Sequence, residues 1–150
     1  MRFNTRIRAS KYEMLAAARH EAAHAMMAPS MGQHIYGVTI RRDGSGYCDV
    51  DIPSSPVKNL RITIAGYVGE RVLGGHKPSY KAMKRDPTQV DDVHDVETVL
   101  QDGRVRADVA LPAAFKYVTE FFQDPANRKK LQRISKRLVR TRVLFERSFK

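Results

Sequence analysis

The string Arg19-His20-Glu21-Ala22-Ala23-His24-Ala25 constrains this chain more than any other stretch. Two histidines four apart stand one turn from each other on the same face of an α-helix, so both imidazoles reach one ion. The reading therefore requires a helix, and the residues before the string supply its start: Ser10-Lys11-Tyr12-Glu13 has the S-x-x-E form of a capping box. The alanine-rich run from Leu15 to Ala18 carries the helix on, and Pro29 is expected to stop it. A zinc ion fits the pair. In H-E-x-x-H sites the carboxylate after the first histidine does not bind the metal but takes a proton from the attacking water, the role expected of Glu21. A hydrolase is the leading expectation.

Downstream, Ile35 to Arg41 and Gly46 to Ile52 read as strands joined by Arg42-Asp43-Gly44-Ser45, which is hairpin chemistry. In the second run Tyr47, Asp49 and Asp51 alternate with Cys48, Val50 and Ile52, giving one polar and one apolar face. Two strands alone are marginal in water, so the hairpin must lie on helices, with one edge open. Ser55-Pro56 and Gly74-Gly75 bracket a second helix with the stripe Leu60, Ile64, Val68 and Val72. Its Ala65, Gly66 and Gly69 would let the histidine helix approach closely.

The segment from Gly75 to Pro87 reads as a loop, followed by a third helix from Thr88, with a T-x-x-D cap to Asp91, as far as Gly103. A fourth helix is expected over Pro112 to Phe122, and Asp124-Pro125 opens a fifth to the C-terminus, with Leu131, Ile134, Leu138 and Phe145 on its apolar face. The fold class expected is mainly α (α+β), a bundle of about five helices with a small antiparallel hairpin. Its 150 residues, 42% hydrophobic, suit a single domain. Within it, 1–9 would be a basic arm, 10–103 a catalytic core and 104–150 basic C-terminal helices.

Charge is uneven along the chain. The formal net charge is +11, and Arg128 to Lys150 holds ten Lys or Arg against Glu146 alone, whereas Asp86 to Asp102 holds six acids and no Lys or Arg. The basic excess admits an acidic protein partner or a nucleic acid, although no aromatic interleaving suggests base stacking and such a run is usually a solvated helix face. The one cysteine, Cys48, excludes an internal disulfide and a Cys-based structural zinc site, and reads as a small buried hydrophobe. No run approaches a membrane span and Met1 to Ser10 lacks a signal-peptide core, so a cytoplasmic setting is expected. Arg2, Arg6 and Arg8 read as a basic arm rather than a targeting sequence.

A catalytic zinc needs three protein ligands and an open position. The metzincin pattern would put Gly at 27 and His at 30, where this chain has Met27 and Ser30. A thermolysin-like site would want a glutamate roughly twenty residues on, where only Asp43 and Asp49 lie. Asp92, Asp91, Asp95 and Glu70 remain as candidates. His94 lies two residues from Asp92 on nearly the opposite face, and His34 and His76 are loop residues without an evident partner.

The string from His20 to Ala25, Val38-Thr39-Ile40, the turn from Gly44 to Tyr47, Ala65-Gly66 with Gly69-Glu70, Gly74 and Asp91-Asp92-Val93 together resemble, in order and spacing, the protease domain of FtsH-type ATP-dependent zinc proteases. The resemblance covers roughly residues 10–100. It implies zinc held by His20, His24 and Asp92, the last standing where the family has the aspartate of an N-D-L segment. Glu70 reads either as a group orienting a histidine or as an ordinary helix-surface charge, and with Asp91 it stays a rival ligand. Ala23 and Gly69 depart from the family's glycine and alanine, and Arg71 from its second glutamate. There is no G-x-x-x-x-G-K-[ST] phosphate loop within these residues. The expected function is a zinc-dependent endopeptidase acting on flexible or unfolded polypeptide without its own ATPase; a separate ATPase, an acidic protein and a homo-oligomer are candidate partners, and residue order does not say whether the chain forms a ring. The rival is an idle or regulatory binding module that uses the same scaffold and its basic surface.

Overall fold

In the computed structural model, which describes residues 8–149, Ser10 opens the first helix as its spacing predicts. The Ser10 hydroxyl accepts from the Glu13 N–H at 3.1 Å and the Glu13 carboxylate accepts from the Ser10 N–H at 3.4 Å. Helix α1 spans Lys11–Ser30 and so passes Pro29, where it was expected to stop. A proline in the last turn costs one backbone bond, and the end is closed without it: the Met31 N–H donates to Met27 and Ala28, and Gly32 turns the chain away at φ +77.

Strands β1 (Ile35–Ile40) and β2 (Gly46–Val50) form the expected hairpin, whose turn is held by the Asp43 carboxylate accepting from the backbone N–H and the hydroxyl of Ser45. Ile52 lies past the strand and is exposed. Helix α2 (Pro56–Leu73) starts on the Ser55 cap, and its stripe of Leu60, Ile64, Val68 and Val72 is buried. The stretch expected to be loop contains a short helix, α3 (Tyr80–Arg85), because Ser79 caps it through the Ala82 N–H and Met83 is fully buried. Helix α4 (Val90–Asp102) lacks the expected Thr88 cap. The Thr88 N–H and hydroxyl both donate to Asp86 instead, closing a 3-10 turn over Pro87–Gln89.

Helix α5 (Ala107–Gln123) begins five residues before Pro112. The bond that Pro112 cannot donate leaves only the carbonyl of Asp108 free, and Asp108 is exposed to solvent. Helix α6 (Pro125–Thr141) starts on Asp124 as expected but does not reach the C-terminus. Arg142 ends it at φ +64, and Val143–Phe145 forms strand β3, pairing antiparallel with β1 to give the order β2-β1-β3. Leu144 lies opposite Val38 with 3% exposure, whereas Phe145, expected on the helix stripe, faces outward. A strand buries Leu144 against the sheet, which explains the switch. The hairpin's β1 edge is thereby covered; the β2 edge has no partner strand among the described residues.

Among the described residues the fold is thus mainly helical, with six helices where about five were expected and a small three-stranded antiparallel sheet. Helix α1 lies at its centre, packed by α2, α6 and the sheet, and Ala18, Ala22, Ala23, Ala25 and Ala28 have no exposed surface. No helix among the described residues is long and apolar enough to cross a membrane. Most of the expected 1–9 arm, including Arg2 and Arg6, and Lys150 lie outside the described residues. The C-terminal strand carries a prediction: Leu144→Ala removes a buried side chain from between the sheet and the helices, and urea unfolding is expected to show a loss of about 2–4 kcal/mol. A loss below about 0.5 kcal/mol would mean that β3 is not part of the core.

Candidate metal centre

Small residues bring α1 and α2 together where the histidines lie. A methyl at Gly66 would stand 2.5 Å from both His20 Nε2 and His24 Nε2, and one at Gly69 would stand 2.5 Å from the Ala23 Cβ. Only glycine fits either place, which is the packing reason expected for glycines inside a helix. At this approach α2 pins both imidazoles: His24 Nδ1 donates to the Ile62 carbonyl at 2.7 Å, and His20 Nδ1 lies 2.9 Å from Glu70 Oε1.

These partners decide the tautomers. A carbonyl and an ionised carboxylate accept and cannot donate, so in neutral histidines the proton sits on each Nδ1 and each Nε2 presents a bare lone pair. From the first turn of α4, Asp92 Oδ2 reaches His20 Nε2 at 2.8 Å and His24 Nε2 at 3.2 Å, while the two Nε2 atoms are 3.1 Å apart. Three acceptors face one point with no donor among them. Only a cation satisfies that arrangement, either a proton or a metal ion. A tetrahedral ion with bonds of about 2.0–2.1 Å needs ligand atoms about 3.3 Å apart, so a small expansion of this triangle accepts one. Two imidazoles and one carboxylate are also a donor set that zinc takes, with a fourth position left open.

Electrostatics follow the same geometry. Burial works to lower the pKa of His20, but the hydrogen bonds of Asp92 and Glu70 and their charges prevail and raise it well above the ordinary histidine value. His24 is raised in the same way against its burial, through the charge and hydrogen bond of Asp92. Burial alone would raise Asp92, yet the two imidazoles hold it well below the usual carboxylate range. The Glu21 carboxyl is raised by burial and pulled back only in part by His24 and His20. That direction suits a group that must take up a proton.

Glu21 faces β2. A Cβ at Gly46 would meet Glu21 Cγ at 2.5 Å and Oε1 at 2.9 Å, so the first residue of the strand is bare where the carboxylate passes. His20, Glu21, His24 and Asp92 lie in one cleft of about 1150 Å³, walled by α1, β2, α2 and α4. Asp91 and Asp95 line this cleft without reaching the histidines, and Glu70 bonds the far nitrogen of His20, the place of an orienting group rather than a ligand. His94 is exposed. His76 also lines the cleft, and His34, expected to lack a partner, lies 3.5 Å from Glu146 and packs edge-on against Tyr36. Cys48 packs against the core from β2, and burial pushes its thiol pKa up, against the thiolate form that a nucleophile needs. Sequence reasoning missed two participants. A backbone carbonyl such as that of Ile62 leaves no trace in residue type, and the role of Gly46 was hidden because glycine beside a turn is ordinary; the H-E-x-x-H string itself, which needs room for its glutamate, was the available signal.

Residues 6–77 match the family described as Peptidase M50B-like, a stretch that takes in α1, the hairpin and α2 and stops short of Asp92. Over that stretch the chain is similar to metallopeptidases of the M50 kind, a coarser likeness than the FtsH type. A comparison with curated proteins gives no match.

Proposed function

We propose that the chain is a zinc-dependent endopeptidase of the FtsH type that hydrolyses peptide bonds in flexible or unfolded protein segments. The observation that carries this reading is the meeting of two pinned histidines and Asp92 at one point, with the Glu21 carboxylate in the same cleft. The likeness to metallopeptidases supports it. A zinc ion, when bound, lowers the pKa of water and polarises a peptide carbonyl. His20, His24 and Asp92 hold the ion. Glu70 and the Ile62 carbonyl keep the imidazoles turned towards it, and Glu21 takes the proton of the attacking water and delivers it to the leaving amine. An extended peptide laid along the free edge of β2 by strand addition passes Glu21 at Gly46. That mode needs unpaired substrate backbone, which is why folded proteins should resist and why a separate ATPase would help.

The test is metal binding joined to cleavage. Purified protein is expected to bind one zinc per chain and to melt several degrees higher at saturating zinc than after chelation. His24→Ala is expected to lose both the zinc and the shift. Cleavage of a disordered protein such as casein should require zinc. Zinc content unchanged by His24→Ala, or casein intact with the metal bound, would refute the reading.

One observation favours the second reading. Lys129, Arg133, Lys136 and Arg140 are exposed along α6, and none is bridged to an acid among the described residues. A binding module for an acidic protein or nucleic acid would use this face, and its binding would fall steeply with salt and survive Glu21→Gln.

A further inference from the structure

The cleft that holds the metal centre opposes the rest of the molecule in charge. Among the described residues it is lined by nine of the chain's 16 acidic residues and by only two Lys or Arg, namely Arg19 and Arg71. Glu21, Glu70 and Asp92 belong to the centre. The other six are Glu13, Asp43, Asp49, Asp86, Asp91 and Asp95, and no Lys or Arg bridges any of them among the described residues. In a chain of net charge +11 this is a marked segregation. Asp91 and Asp95 stand one turn apart on α4, an i, i+4 pair of like charges that destabilises a helix unless something positive comes between them.

A second observation is of a different kind. Gln89 is buried, with 2% exposure, and lines the same cleft between Asp86 and Asp91. Its Nε2 donates to the Thr88 hydroxyl, but its Oε1 has no partner among the described residues. A buried carbonyl without a donor is costly, and a donor group brought into the cleft relieves that cost. Ionised carboxylates and this oxygen are all acceptors, so their complement is a side chain that only donates, which is lysine or arginine.

A second metal ion is not the complement. Among the described residues only His20, His24 and Asp92 converge closely enough to hold one, whereas the six acids are spread along the cleft from Glu13 and Asp43 on the β-turn side to Asp95 on α4. That spread suits several cationic side chains of one extended chain lying across the centre.

We propose, resting on the peptidase reading above, that the cleft selects lysine- and arginine-rich segments, with Asp91, Asp95 and Gln89 receiving basic side chains beside the scissile bond. Selection acts mainly through KM, because these charges attract the substrate before reaction and do not change between ground and transition states.

The test uses the full chain and two disordered peptides that differ only in having four lysines or four serines around a common central sequence. With the zinc-loaded protein, kcat/KM is expected to be about tenfold or more higher for the lysine peptide, the difference lying in KM and shrinking at high salt. Asp91→Asn with Asp95→Asn is expected to cut the lysine-to-serine ratio about five- to tenfold at unchanged zinc content. Fluorescence anisotropy with Glu21→Gln protein separates binding from cleavage. Equal kcat/KM for the two peptides overturns the selectivity and leaves the peptidase. Preferential binding of the lysine peptide that the double variant weakens, without cleavage by the zinc-loaded parent, overturns the peptidase and leaves the selectivity. A preference untouched by the double variant overturns the assignment to this cleft, and no binding of either peptide overturns both.

Discussion

Glu21→Gln is expected to lower kcat for peptide hydrolysis by about 10²- to 10⁴-fold while zinc content and melting temperature stay within error of the parent. The change keeps the side chain's shape and its place beneath Gly46, so packing is undisturbed. It touches none of the atoms that meet at the proposed metal point, since the proposed ligands are on His20, His24 and Asp92, and the groups that bond their far nitrogens are Glu70 and the Ile62 carbonyl. What is lost is an acceptor that takes a full proton, because an amide oxygen does not. Turnover with zinc quantified in the same sample checks this, and a variant retaining more than a tenth of parental kcat would remove Glu21 from the chemistry.

Gly66→Ala is expected to weaken metal binding strongly with only a modest loss of fold stability. The added methyl would stand 2.5 Å from both Nε2 atoms, and neither imidazole turns aside without breaking its Nδ1 contact to Glu70 or Ile62. Either α2 backs away or the histidines leave the point they share with Asp92. Overpacking of this sort costs about 1–3 kcal/mol, and alanine returns up to about 1 kcal/mol over glycine in a helix interior, so the net change is small. The effect on the centre is large in comparison, because three ligand atoms must stay within a few tenths of an ångström of their places. Zinc affinity down about 10- to 100-fold with a cooperative melt retained is the expected result. Unchanged affinity would mean that α2 is free to move and does not shape the site.

The parts of this protein that were legible in advance are those where local chemistry and tertiary context agree. Ser10 and Glu13 satisfy each other's neighbouring backbone within one turn, and the spacing of His20 and His24 is a property of any α-helix. Gly66 and Gly69 were readable as a close helix approach because glycine inside a helix otherwise only costs stability. The failures have the opposite character. Val143 to Phe145 follows a helix with no breaker that residue type reveals, and it is a strand only because β1 offers an unpaired edge and a place for Leu144. Thr88 spends its hydrogen bonds on Asp86, a choice between two equally local partners.

The candidate metal centre divides along the same line. Residue order by itself determined two histidines on one helical face, a carboxylate between them in sequence and a choice among later acids, because these depend on periodicity and on the donor atoms each side chain carries. Only the tertiary structure decided that Asp92 and not Asp91 or Asp95 meets the imidazoles, that Glu70 and the Ile62 carbonyl leave both Nε2 lone pairs bare, and that Gly46 makes room for Glu21. Convergence of atoms from helices seventy residues apart depends on how α1, α2 and α4 pack, and packing is a property of all the faces at once.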